Sequence, residues 1–210
     1  MPVLRFNISP LWLGILYAIS TTFMIAVMNL FVKLLGQYDF HAIELVFIRN
    51  LCGLIIISGI IVAVRRNFEL FKTSRPKAHL TRSLLGTFGV IFIFAAFIYL
   101  PLTTATVLIF TSSLMIPVFS AVLLKESVGP YRWTAVLIGF SGVVIMTGFS
   151  TEIKIIGLIL ALLGALFNAL AHVSLRSLAD TEHPLTTSFY FMAIGTALTL
   201  PIVPFVANGN

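Results

Sequence analysis

The chain is dominated by apolar runs that are too long for the core of a soluble domain. Seven of them, at about 11–35, 42–64, 82–100, 103–124, 131–149, 154–175 and 185–206, fill most of the 210 residues. Each holds roughly 19–25 residues, enough at about 1.5 Å of helix per residue to cross a hydrocarbon layer about 30 Å thick. Hydrocarbon offers backbone N–H and C=O groups no partner, so each run has to satisfy its own as a helix. A membrane β-barrel would show segments of about ten residues in strict alternation, and these runs are continuous. The expected fold class is therefore all-α, a polytopic integral membrane protein with about seven transmembrane helices.

Only 10% of the residues are charged against 59% hydrophobic, too few polar groups to cover a soluble surface. The net charge of +6 does not point to nucleic acid, because the basic residues sit at the ends of apolar runs and not on one face. Cys52 is the single cysteine, so no disulfide or thiolate metal site forms within one chain. The first run is longer than the apolar region of a signal peptide and no small-residue cleavage site follows it, so it is expected to stay as a spanning helix.

The loops are short and their charge is uneven. RRNFELFKTSRPKAHLTR, after the second run, holds Arg65, Arg66, Lys72, Arg75, Lys77 and Arg82 against one acid, Glu69. The positive-inside bias makes that loop cytoplasmic. Arg5, Lys125, Arg132 and Arg176 then fall on the same side, with Lys33 and Lys154 near the other. The expectation is a multi-pass protein of the inner membrane with a cytoplasmic N-terminus, surrounded by lipid.

LWLGILYAI from Leu11 can be laid on KIIGLILAL from Lys154 without gaps. Gly14 then meets Gly157, Asn29 meets His172, Lys33 meets Arg176 and Asp39 meets Glu182. This pairing implies a first unit of five helices in residues 1–150 and the opening two helices of a second unit in 151–210. An odd number of spans per unit would invert the second copy, a plan common in secondary transporters, with the substrate site between the halves.

The order of motifs carries a family resemblance. LWLGILYAIS opens the first span, Phe47-Ile48-Arg49 lies in the second, RSLLG opens the third at Arg82, and PLTTATVLIF leads into the fourth. LLKESVGPYRW follows at its end, and GFSGVVIM lies in the fifth. Together these resemble the EamA-type drug/metabolite transporter superfamily over essentially the whole chain, with the S-adenosylmethionine uptake branch nearest in pattern. The resemblance implies ten helices in two repeats, a carrier for small organic solutes, and a cavity near mid-membrane. It also implies recurring positions at Arg49, Arg82 and Glu126. Set against that plan, the chain holds about seven helices and lacks the last three.

Charges inside a span are expensive, about 2.5–3.5 kcal/mol each at the centre on insertion scales, so they mark either a structural pair or a path. Glu44 lies one turn inside the second span and reads as an interfacial carboxylate or a path residue. Arg49 is five residues further, about 140° around the helix, so its partners belong on another helix or on a substrate anion. In the first span, Ser20 and Asn29 are polar; serine can satisfy itself on backbone carbonyls, whereas asparagine reads as a helix–helix bridge or a cavity group. Thr111, Ser112 and Ser113 lie beside Pro117, whose ring crowds the carbonyl of Ser113 and favours a helix kink. Asn168 and His172, four apart, share a face of the sixth span. The expected substrate path therefore comprises Arg49, Glu44, Asn29, Ser20, Thr111, Ser112, Ser113, Asn168 and His172, with Arg82 and Glu126 as charges at the cytoplasmic end. Gly157, Ala161, Ala165 and Ala169 form a small-residue stripe for close helix packing.

No phosphate-binding loop, metal-ligand set or nucleophile elbow is present in the sequence, so no enzyme and no cofactor is expected. The expectation is alternating-access transport of a small organic metabolite such as S-adenosylmethionine or an amino-acid-like solute. The rival is a non-transporting fragment, or a subunit needing a membrane partner or a second copy for the missing helices.

Overall fold

The computed structural model describes residues 10–65, 68–123, 129–148 and 154–207, and these form helices without a strand among them. In chain order they are α1 (Pro10–Leu35), α2 (Ala42–Gly59), α3 (Pro76–Tyr99), α4 (Leu102–Leu123), α5 (Pro130–Gly148), α6 (Ile155–Ala179), α7 (Pro184–Thr199) and the short α8 (Val203–Ala207). Five segments among the described residues, 11–38, 42–63, 76–99, 102–123 and 155–179, are long and apolar enough to cross a membrane. The chain is an all-α polytopic membrane protein.

The fifth expected span appears at its expected length as α5, with 19 residues, and the seventh is shorter in the structure. α7 has 16 residues and ends at Thr199, with Leu200 still helical as its cap, since Pro201 supplies no N–H to carry the hydrogen-bond ladder further. Another boundary moves the opposite way. α3 begins at Pro76, not at Arg82, with proline in the first turn where its missing N–H is no loss. Arg82 therefore sits almost two turns inside a helix.

Other ends follow from local chemistry. His41 caps α2 while the Glu44 carboxylate accepts from the His41 backbone N–H at 2.8 Å, a reciprocal capping arrangement. α2 closes in a wide π-turn from Ile60 to Arg65. Leu100 is extended before Pro101, which makes the α3–α4 connection abrupt. Lys33, in the last turn of α1, donates to the carbonyls of Ile98 (3.3 Å) and Leu100 (2.9 Å), placing a cation on the orphan carbonyls that end α3.

The tightest seam joins α3 to α6. A methyl placed on Gly164 would come within 3.0 Å of the Ile93 backbone nitrogen, and one on Gly89 within 3.1 Å of the Asn168 nitrogen. The backbones approach this closely because Gly164 and Gly89 carry no side chain at the contact, and the stripe of Gly157, Ala161, Ala165 and Ala169 is buried along the same helix. Phe94, Phe97, Leu100, Leu45 and Val46 form the main apolar core around it. By contrast, residues 11–26 of α1 are exposed along their whole length, a surface suited to lipid.

Candidate functional site: a cavity with two arginines and no acid

Six helices converge on a cavity of about 370 Å³, within the range of small-molecule sites. α1 contributes Asn29, α2 Arg49, α3 Arg82, α6 Asn168 and His172, and α7 Phe191, with apolar side chains of α3 and α4 between them. No Asp or Glu among the described residues lines it.

Phe191 organises the charged part. The guanidinium carbon of Arg82 lies 4.6 Å from its ring centroid and that of Arg49 5.8 Å. Two cations from different helices thus share one aromatic ring. Arg49 also donates from Nη1 to Asn50 Oδ1 at 3.2 Å. Arg82 Nε and Nη1 are shielded from solvent and have no hydrogen-bond partner among the described residues. Glycines make this crowding feasible. A methyl on Gly86 would lie 2.5 Å from Arg82 Nη1 and 2.8 Å from Phe191 Cε2, and one on Gly195 would collide with Asn50 Nδ2.

A tier of buried polar groups lies beside the arginines. Asn50, Ser83 and Thr87 are fully buried, and Asn50 Nδ2, Ser83 Oγ and Thr87 Oγ1 have no partner among the described residues. On the α4–α6 side, Asn168 Nδ2 donates to Ser112 Oγ at 3.4 Å, and Arg176 Nη1 to Ser120 Oγ at 3.0 Å.

The residues singled out in the sequence divide accordingly. Arg49, Asn29, Asn168 and His172 line the cavity, and Ser112 stands behind Asn168. Thr111 is buried with its hydroxyl unpartnered among the described residues. Ser20 and Ser113 are exposed. Glu44 is engaged in the α2 cap, away from the cavity lining. α4 runs helical through Pro117. Arg82, expected as a charge at the cytoplasmic end, lines this cavity and also the smaller one at the end carrying the basic loop. Glu126 lies outside the described residues.

Sequence reasoning missed Asn50 and Phe191. An asparagine beside an intramembrane arginine was a usable signal, because its amide needs partners as much as the guanidinium does. Phe191 gave none, since one phenylalanine among 19 is unremarkable until its neighbours are known.

At the end of the bundle carrying the basic loop, a second cavity of about 320 Å³ is lined by Arg82, Phe191, Thr187 and Glu182. Glu182, in the turn between α6 and α7, ties that turn to the segment before α3. It accepts from Thr73 Oγ1 (2.7 Å) and Ser74 Oγ (3.3 Å), and lies 3.6 Å from His79 Nε2. Arg75 Nη1 donates to the Ser177 carbonyl at 2.7 Å. Thr186 and Tyr190 hydroxyls donate to the carbonyls of Leu70 (2.9 Å) and Phe71 (3.0 Å). The Thr73 hydrogen bond, and after it the proximity of His79, hold the Glu182 carboxyl below its ordinary value, against the opposing effect of burial.

Residues 12–148 match the EamA-like transporter family. The chain is 28% identical over 191 residues to the pseudopaline exporter CntI of Pseudomonas aeruginosa, covering 90% of this chain and 66% of that protein. It is 28% identical over 162 residues to the S-adenosylmethionine uptake transporter of Rickettsia prowazekii, covering 77% and 54%. It is 30% identical over 135 residues to the riboflavin transporter of Rhizobium johnstonii, covering 64% and 44%. The chain thus spans between 44% and 66% of the length of these relatives. No solved structure matches it.

Proposed function

Because the chain belongs to the EamA-like transporter family, we propose that it is part or all of a secondary carrier that moves a small organic metabolite by alternating access, with the six-helix cavity as its substrate site. The observation that carries this reading is the convergence of Asn29, Arg49, Arg82, Asn168 and His172 on one 370 Å³ space. Polar groups this deep in spanning helices are costly unless they serve a path or a pair.

In this reading the protein sits in the inner membrane with its N-terminus and the basic loop in the cytoplasm. Residues 1–150 are the first repeat and 151–210 open the second, inverted one. The Glu182 cluster is the closed gate at the cytoplasmic end, and Pro117 is the point at which α4 flexes when the gate opens. Relatives named for three different solutes support the class of small organic metabolites. S-adenosylmethionine and amino-acid-like solutes are the first candidates.

The test is counterflow of a labelled panel, S-adenosylmethionine and amino acids included, into proteoliposomes holding the full chain. Ala171→Phe, which fills the cavity from α6, is expected to abolish exchange without unfolding the protein. Undiminished exchange in that variant would move the substrate site elsewhere. A second reading is favoured by the 54–66% coverage of the relatives: a subunit whose path is completed by a partner or second copy. It predicts exchange only when the native complex is reconstituted, and the intact mass of that complex decides between the two.

A further inference from the structure

We propose that the cavity selects a solute carrying a carboxylate on an apolar or aromatic body, with the carboxylate held by Arg82 and Arg49 against Phe191. This rests on the carrier reading above and names its substrate class.

Four observations converge. The cavity holds two guanidinium groups and no acid among the described residues. Arg82 keeps two shielded nitrogens without a hydrogen-bond partner among those residues. A buried charge left in that state is unfavourable until an anion arrives. Both arginines rest on the ring of Phe191, and stacking occupies a guanidinium's face while its N–H donors radiate in the plane. The Arg82 fork is thus not taken by a hydrogen bond from the described residues, and it can receive a planar, two-oxygen acceptor once the side chain turns its shielded edge into the cavity. Finally, the α3–α4 side of the lining is largely apolar and rich in rings, with Ile93, Phe94, Phe97, Ile109 and Phe110 facing the space. An inorganic oxyanion would leave that surface unused. An amine would meet two cations.

Gly86 fits the same assignment. Its lack of a side chain leaves the position in which Arg82 Nη1 and Phe191 meet. Asn29, Asn168 and His172 are left for neutral hydrogen bonds to the remainder of the solute.

The experiment measures ligand-induced shifts of thermal unfolding for the full chain in lipid nanodiscs. The probes are matched sets with one body and three heads: indole-3-acetate, indole-3-acetamide and tryptamine, and the corresponding phenyl series, with inorganic phosphate alongside. The acids are expected to bind at least about tenfold more tightly than the amides, the loss typical of a charge-assisted pair, and the amines and phosphate weakly or not at all. Arg82→Gln should erase the preference for acid over amide, and Arg82→Lys should restore part of it. Without ligand, Arg82→Gln should unfold at the wild-type temperature or above it, because it removes an unpartnered charge. A purely structural arginine would lower that temperature and leave the acid-to-amide ratio unchanged, which overturns the proposal. Phosphate binding as tightly as the acids also overturns it. Amides or amines that bind best, and lose binding with Ala171→Phe, would sink the carboxylate while sparing the carrier. A chain that binds no head group of either series, and exchanges nothing in proteoliposomes, would sink both.

Discussion

Two polar clusters lie within about one turn of each other along α3, at His79 and at Arg82, and both include groups from α7 or its lead-in. Around Phe191, two cations from α2 and α3 face the 370 Å³ cavity, which no acid among the described residues lines, while Arg82 and Phe191 also border the smaller cavity with Glu182; Arg82 has unsatisfied donors among the described residues. Around Glu182, one anion is enclosed by hydroxyl donors and an imidazole, with its side chain only 6% exposed. In the first cluster Arg82 Nε and Nη1 have no hydrogen-bond partner among the described residues. In the second the carboxylate is satisfied and fastens two loops together, while the buried His79 nitrogens have no hydrogen-bond partner among those residues. Burial alone does not distinguish a structural charge from a functional one; hydrogen-bond satisfaction does.

The largest effect that separates them should come from reversing the satisfied charge. Glu182→Lys would set an ammonium beside His79 and turn hydroxyl donors toward a donor. Losing the charge-assisted hydrogen bonds of a part-buried carboxylate costs about 1.5–3 kcal/mol, and thermal unfolding in nanodiscs should fall accordingly. The α2–α3 segment should also become open to protease near Arg75. Stability equal to wild type would show that the two loops are held by Thr186, Tyr190 and Arg75 without Glu182, and the contrast between the clusters would collapse.

Next in size is Gly86→Ala. The new methyl falls within 2.8 Å of Phe191 and closer still to Arg82 Nη1, so one of them has to move. Overpacking costs about 1–3 kcal/mol in a well-filled interior; here the flexible arginine yields first and the cost falls at the low end. The informative readout is binding, since a displaced Arg82 should weaken indole-3-acetate far more than it lowers the unfolding temperature. Arg49→Ala should be milder for stability, about 1 kcal/mol for the lost bond to Asn50. Solute exchange at equal expression should still drop sharply, and exchange at the wild-type rate would remove Arg49 from the site.

What could be read from the sequence follows how local each cause is. Span length, the basic loop, the small-residue stripe of α6 and the shared face of Asn168 and His172 are periodic or additive properties. The chain displays them directly, and α6 buries the stripe as its spacing predicts. Helix boundaries moved where proline decided them, at Pro76 and before Pro201, because an apolar count weighs a proline no differently from its neighbours. Shifting the start of α3 by six residues changed Arg82 from a surface charge into a cavity group. Its meeting with Arg49 depends on three helices far apart in the chain, and no spacing rule encodes that. Glu182 was aligned only as the counterpart of Asp39, since the loops that satisfy it are brought together by packing alone.

The smallest effect is the pH dependence of the Glu182 cluster, and its sign is fixed by the hydrogen bonds. Thr73 and His79 favour the ionised carboxylate, so its folded value lies below the ordinary 4.5. Such a group contributes its stability in full above that ordinary value and loses it as the pH falls through the lowered one. Above the ordinary 4.5 the contribution of the carboxylate should therefore be unchanged. As the pH falls below it and through the lowered value, protease access near Arg75 should rise, and the wild type should come to resemble Glu182→Gln. The variant itself should show no such step. The arginines stay charged throughout this range, so acid should open the loop cluster without altering the cavity's preference for anions that remain ionised there. If acid abolished both together, the two clusters would be one coupled network, and closure at the loops would be what holds Arg82 against Phe191.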